Sequence, residues 1–458
     1  MADHAQDPKG LGLPILIPAD GPIPQRQPLP SLLTLPPNLQ VRILSHLPQK
    51  DLPAVLKTCK DLKTITEPLL YRTVTLEPRR GLLFIKTLGH NTRLQGYVQS
   101  LTIHDHHTVE TQFAQIMARF ILHLTNLRRL RIKGCFTHFL GVPSAIVEVQ
   151  RKLYVETLGA GGLDRLVSLE ISLSNSEPWP LAARECIFWH PTLKYLSVLG
   201  CTMDDFHSFT HTIHHTSPLE CLSLICCDIS AATLAKILSV PRALRQFVML
   251  GPVQQAGTSK PEYTNPNPAL YIEALKPQAH SLQFIRLVTW YFRASKVPVL
   301  DFSGFVVLKE LTFSTLVLLD GVTGWTQNLT PLATRRPFPP SLRALSIFHL
   351  NAATLSATES ILAGVISRLV AEGSVPDLRT VTLVTPRAPP VDLGSQPLYR
   401  GTGANRLDFL ETYVLPDKWN QLMMGRVLVC RIRIPLMWTW PLRCECCDFD
   451  LWRVVVVP

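Results

Sequence analysis

The sequence predicts an α/β chain. A small all-helical N-terminal unit is followed by a coil of short strands and helices, with a parallel sheet on one face and helices on the other. Three observations carry that expectation. Prolines cut a leucine-rich stretch after residue 30 into three short helical pieces. A triplet, apolar-x-x-apolar-x-apolar, then recurs from starts at Val98, Leu127, Leu166, Leu193, Leu219, Leu244, Leu282, Leu308, Leu342 and Leu378. Between triplets, apolar residues fall at helical spacing, so a helix is expected to follow a strand.

Residues 1–30 hold seven prolines together with Gly10, Gly12 and Gly21. Proline removes a backbone donor and fixes φ, which suits neither a helix nor a sheet interior. A disordered Pro-rich leader is expected there. Its apolar start, Leu11–Pro18, is short and interrupted by Pro14 and Pro18, unlike a secretory signal.

From Ser31 the character changes. Pro36 and Pro37 suit a first helical turn, and Leu39, Ile43, Leu44 and Leu47 fall on one stripe before Pro48. Asp51 is placed to cap a second helix, with Pro53 in its first turn and Leu52, Val55, Leu56, Cys59 and Leu62 on one face. Pro68-Leu69-Leu70-Tyr71 is a third short apolar element. A unit of this size, 31–76, cannot hide every apolar residue and is expected to dock on a partner.

Successive triplet starts lie 25 to 39 residues apart, which assigns 77–415 to the repeating region. Val109, Phe113, Ile116, Met117, Phe120 and Leu124 share a helical face, as do Ile361, Leu362, Val365, Ile366, Leu369 and Val370. Gly251–Asn267, rich in Gly, Pro, Gln and Ser, reads as an inserted loop. Cys135, Cys201 and Cys227 each stand eight residues after a triplet start, where random placement of eleven cysteines would put fewer than one. Leucine-rich repeats place Asn or Cys there, satisfying loop backbone groups inside the coil. The pattern resembles that family, an irregular parallel-sheet solenoid, and makes these three cysteines structural. Residues 416–458 lose the pattern, carry Trp419, Trp438, Trp440 and Trp452, and end on Val454–Val457. No structure is assigned to this tail.

Of 458 residues, 46% are hydrophobic and 17% charged, a balance that excludes wholesale disorder. The uncharged apolar run Leu311–Leu319 is far shorter than the roughly 18 residues a spanning helix needs, so no membrane partner is expected. Eleven cysteines, an odd count without a secretory signal, point to reduced thiols in the cytoplasm or nucleus. The net charge of +11 suits an acidic partner, protein or nucleic acid.

The segment Leu35-Pro36-Pro37-Asn38-Leu39-Gln40-Val41-Arg42-Ile43-Leu44-Ser45-His46-Leu47 resembles the opening of an F-box. Lys50-Asp51-Leu52, Cys59-Lys60-Asp61-Leu62 and Glu67-Pro68-Leu69-Leu70-Tyr71-Arg72 match the remainder in order and spacing. Pro37 and Asn38 stand where F-boxes commonly carry an acidic residue, and Leu62 where many carry Trp. The resemblance, to F-box proteins with leucine-rich repeats, implies a substrate-recognition subunit of a Skp–cullin–F-box ubiquitin ligase, non-catalytic and without a cofactor. The implied adaptor-binding residues are Leu35, Pro36, Leu39, Ile43, Leu44, Leu47 and Leu52. They would bind a Skp-family adaptor and through it a cullin, while the repeats hold a protein substrate. The alternatives are an F-box scaffold acting outside a ligase and a basic nucleic-acid-binding repeat protein. Between Ser31 and Leu76 six basic residues stand against three acidic ones, a balance that speeds encounter with an acidic adaptor.

Other constellations point nowhere. His104-Asp105-His106-His107 and His211-x-x-His214-His215 lack the acidic or thiol companions of a metal site, and Cys430, Cys444, Cys446 and Cys447 are too crowded for a zinc unit. Gly159-Ala160-Gly161-Gly162 has Asp164 in place of the third dinucleotide-binding glycine. Gly257-Thr258-Ser259-Lys260 is no phosphate loop, and Gly-x-Ser-x-Gly does not occur. Arg128, Arg129, Arg131 and Lys133 make a basic strand, but no aromatic-basic RNA signature accompanies them.

Overall fold

The computed structural model describes residues 32–105, 111–134, 163–172, 179–181, 185–206, 214–251, 262–288, 301–314, 338–348, 372–384, 429–433 and 455–456. The chain divides into two compact units, Met1–Leu70 and Tyr71–Pro458. The expected leader at 1–30, the helix at 361–370 and Cys135 lie outside the described residues.

In the first unit a 3-10 turn at Leu32–Thr34 precedes α1 (Pro37–Leu44), α2 (Leu52–Leu56) and α3 (Lys60–Arg72). Pro36 is extended, at φ −54° and ψ 144°, as the following Pro37 requires. The helical pieces are cut differently from expectation. The second ends at Leu56 rather than running to Leu62, because the chain turns at Lys57–Thr58, where the Thr58 hydroxyl donates to the Val55 carbonyl at 2.8 Å. Cys59 sits at the start of the next helix, and its Sγ accepts from the Leu62 amide at 3.5 Å. Asp51 precedes α2 but makes no side-chain capping bond. Pro68, expected to open a separate element, lies inside α3. The Gln49 amide donates to the Leu70 carbonyl near that helix's end at 3.1 Å.

The second unit opens on β1 (Thr73–Leu76), inside the span expected to be purely helical. It begins a sheet that continues through β2 (Ser100–Asp105), β3 (Arg129–Gly134), β4 (Ser168–Ser172), β6 (Tyr195–Leu199), β8 (Cys221–Ile225), β10 (Gln246–Leu250) and β11 (Phe284–Val288). It goes on through β12 (Glu310–Ser314), β13 (Ala344–Phe348), β14 (Thr380–Val384) and β15 (Val429–Arg433), all parallel, and ends on the antiparallel β16 (Val455–Val456). A smaller parallel sheet joins β5 (Trp179–Pro180), β7 (Cys201–Met203) and β9 (Asp228–Ile229).

The register follows the triplets. Leu101 pairs with Leu130, Leu130 with Leu169, Leu169 with Leu196, and the ladder runs on through Leu222, Phe247, Ile285, Leu311, Leu345 and Val381. Alternate strand residues point to opposite faces, so a shared register puts all these side chains on the core side. From Val98 to Val381 every triplet position is buried. Just ahead of each strand of this sheet from β2 to β13, one carbonyl accepts two successive amides at the start of the next strand. Arg343, for example, accepts from Arg379 and Thr380 at 2.8 and 3.1 Å. The strands therefore stack at sheet spacing whatever the length between them.

The pattern extends further than ten triplets at both ends. Tyr71/Val74/Leu76 leads into β1, and Cys430 and Ile432 fall in β15, in register with Val381 and Leu383, within the tail where repetition was expected to cease. Tyr and Cys in leucine positions hide both from a search weighted to leucine.

Helices described in the second unit are α4 (Pro78–Gly89), α5 (Thr92–Gln95), α6 (Thr111–Ile121), α7 (Ala231–Ser239) and α8 (Pro268–Leu275). Met117 and Phe120 of α6 are buried as expected, with Leu124 just beyond it, whereas Ile116 is exposed. Of the expected inserted loop, residues 262–267 are described. They are tied down by Asp228, whose carboxylate accepts from the amides of Glu262 and Thr264 at 2.7 Å each and from the Thr264 hydroxyl at 2.6 Å. The chain is thus a mixed α/β protein with a large parallel sheet.

Candidate functional site

Unit 1 is built around the two sides of α1. Leu39 and Ile43, four residues apart, form one stripe, and Gln40 and Leu44 form the next. Gln40 and Leu44 are buried, at 6% and 2% exposure. Leu39 and Ile43 are exposed at 41% and 45%, and Leu33, Val41 and Leu47 are exposed with them. Five large apolar side chains facing water in a segment this short leave unmet the burial that normally offsets chain entropy.

The buried Gln40 holds this arrangement. Its amide nitrogen donates to the Leu35 carbonyl at 2.6 Å and to the Leu33 carbonyl at 3.2 Å, fixing the chain ahead of α1 onto the helix. A polar residue on an apolar stripe gives no sequence signal for this role, and Gln40 was absent from the expected site.

Of the expected adaptor-binding residues, Pro36, Leu39, Ile43 and Leu47 are exposed and Leu35 is half-buried. Leu44 and Leu52 are buried, at 2% and 4%, and neither belongs to the large core of the second unit. They stabilise the small unit and present no surface. Helical periodicity groups Leu44 with Leu39 and Ile43, but the stripe is wide enough for its two edges to face opposite surroundings.

α3 contributes a buried group without a partner. The Thr66 hydroxyl is fully buried and has no hydrogen-bond partner among the described residues.

Two of the three expected structural cysteines are described, and both are fully buried in the second unit. Their Sγ atoms lie 3.3 Å apart. Cys227 donates to the Ile225 carbonyl at 3.2 Å and lies 3.5 Å from the Val198 carbonyl. Its thiol neighbour and burial push Cys201 well above the ordinary thiol range. Cys226, at φ 53°, is pushed up to about 12 by burial. Cys201 and Cys226 stay protonated at neutral pH, which makes them poor nucleophiles and poor metal ligands.

Among the described residues no cluster of three or more His, Cys, Asp or Glu is arranged to hold a metal ion, and no helix is long and apolar enough to cross a membrane. The Cys444–Cys447 group, His211 and both glycine-rich segments lie outside the described residues.

No curated protein matches the chain. Residues 32–77 match the F-box-like family model, the same segment whose helices expose the Leu39/Ile43 stripe. The chain carries an F-box-like domain at 32–77.

Proposed function

We propose that this protein is the substrate-recognition subunit of a Skp–cullin–F-box ubiquitin ligase. The F-box-like unit docks on a Skp-family adaptor, which links it to a cullin, and the sheet-bearing unit holds a protein substrate. The observation that carries the reading is the exposed apolar edge of α1. Leu39, Ile43 and Leu47, with Pro36 at the helix start, form a contact waiting for cover in a domain whose family binds such an adaptor.

In this role the protein performs no bond chemistry. It brings a substrate lysine near an activated ubiquitin carried by other subunits, and the gain is effective concentration. The second unit suits a holding function. Its triplet register and parallel stacking support a leucine-rich-repeat solenoid, whose alternate strand positions are free of core duties and available for recognition. The free thiols Cys201, Cys226 and Cys227 are consistent with residence in the cytoplasm or nucleus.

Co-purification of the full chain tests the reading. Recovery of both adaptor and cullin supports the ligase subunit. Recovery of adaptor without cullin overturns it in favour of a scaffold acting outside a ligase.

A further inference from the structure

We propose that the outward face of β2, β3 and β4 binds the acidic end of an extended substrate segment whose apolar residues continue over β6, β8 and β10. This rests on the reading that the sheet-bearing unit holds a protein substrate.

Leu130 and Ile132 of β3 are buried, so pleating puts Arg129, Arg131 and Lys133 on the opposite face. The register sets Arg129 between Ser100 and Ser168, Arg131 between Thr102 and Glu170, and Lys133 between His104 and Ser172. Glu170 is already engaged: its carboxylate holds the Arg131 guanidinium at 2.6 Å. Neither Arg129 nor Lys133 has a carboxylate as its neighbour in the register: Ser100 and Ser168 flank Arg129, and His104 and Ser172 flank Lys133. Arg128 and Arg165, both exposed, add charge at the start of these strands, against Asp164 alone.

Charge then stops. The outward positions of the next three strands are Tyr195, Ser197 and Leu199, then Cys221, Ser223 and Ile225, then Gln246, Val248 and Leu250. The row that holds Lys133 and Ser172 thus continues into Leu199, Ile225 and Leu250, all half-buried. At roughly 4.8 Å per strand, the cationic and apolar stretches each span about 10–15 Å, the reach of three to five extended residues.

That polarity selects the occupant. A nucleic acid carries charge evenly along its length and would leave the apolar half of the face without a match. A peptide with carboxylates at one end and apolar side chains at the other meets both halves. The two cations lacking a carboxylate supply the steering, and the leucine row supplies burial.

The test uses the full chain and a labelled peptide in which a run of glutamates precedes leucines alternating with serines. Its companions are the same peptide with glutamine for glutamate and an oligothymidine of equal length. The glutamate peptide is expected to bind roughly tenfold tighter than its glutamine counterpart. Arg129→Gln with Lys133→Gln should abolish that preference, while Lys309→Gln with Arg379→Gln, cations elsewhere on the sheet, should leave it intact. Should the first pair unfold the protein, a salt titration of the wild type decides: of the two peptides, only the glutamate one should weaken as salt rises. Tighter binding of the oligothymidine, or equal effects of the two variant pairs, would overturn the proposal. Adaptor pull-down on the same preparations separates the two readings. Lost adaptor binding with intact peptide selectivity counts against the ligase alone, and the reverse counts against the acidic segment alone.

Discussion

The Gln40 side-chain amide donates to the Leu35 carbonyl at 2.6 Å, and this bond decides which edge of α1 is left bare. With Gln40 and Leu44 turned inward, Leu39 and Ile43 are left exposed. Gln40→Leu keeps the volume and removes the donor, leaving the Leu33 and Leu35 carbonyls without it. The variant is expected to lose about 1–3 kcal/mol of unit stability. Hydrogen exchange should show earlier loss of protection at the start of α1 than in the wild type, and unchanged protection in the second unit.

Thr66 offers a change in the opposite direction. Its hydroxyl is buried without a partner, so the folded state carries a desolvation cost that nothing offsets. Thr66→Val removes the hydroxyl at constant shape and is expected to stabilise the unit by about 1 kcal/mol. A rise in the denaturant midpoint of the full chain's first transition checks it.

The second unit should weaken in mild acid through His190. This residue is 7% exposed, and burial pushes its imidazole below the ordinary 6.5, with Asp164 opposing the shift. The unfolded chain takes up a proton as pH falls through 6.5, and the folded chain does so only at lower pH. Between those points the unfolded state binds more protons, so stability is complete above 6.5 and falls below it, by at most about 1.4 kcal/mol per pH unit. Thermal melts at a series of pH values should show a shallower acid slope for His190→Gln than for the wild type.

Cys201 and Cys227 should be the slowest thiols to alkylate among the described cysteines. Both are fully buried, and Cys201 is held protonated. Cys221, half-buried and raised less, should react sooner, in the native state, by mass spectrometry after brief iodoacetamide treatment. Modification of Cys201 and Cys227 as fast as Cys221 would contradict the triplet register that places them.

Much of this molecule was legible in its residues. The triplets were readable because a parallel strand needs apolar residues at fixed alternate positions, and the parallel pairings from β2 to β14 fall in the register those residues imply. Tyr71/Val74/Leu76 and the Cys430/Ile432 pair escaped because a pattern weighted to leucine does not look for tyrosine or cysteine in its positions. In the F-box-like unit, periodicity located α1 but left its two edges unsorted. Which edge is buried depends on Gln40 and on how α2 and α3 pack, and those are relations between segments. The break between Leu56 and Lys60 turns on a local hydroxyl bond at Thr58 and a thiol acceptor at Cys59, features too short-ranged for any stripe to register.

The central claim is that the exposed edge of α1 binds the adaptor while the buried edge holds the unit together. Adaptor pull-down beside a thermal melt of Ile43→Asp and Leu44→Asp tests it most directly. A carboxylate at Ile43 stays in water when the protein is free and is desolvated only on docking, so binding should be lost with the melt unchanged. At Leu44 the same carboxylate enters the interior, so the unit's own transition should shift down by several kcal/mol. Full adaptor binding by a folded Ile43→Asp protein would contradict the assignment of this surface.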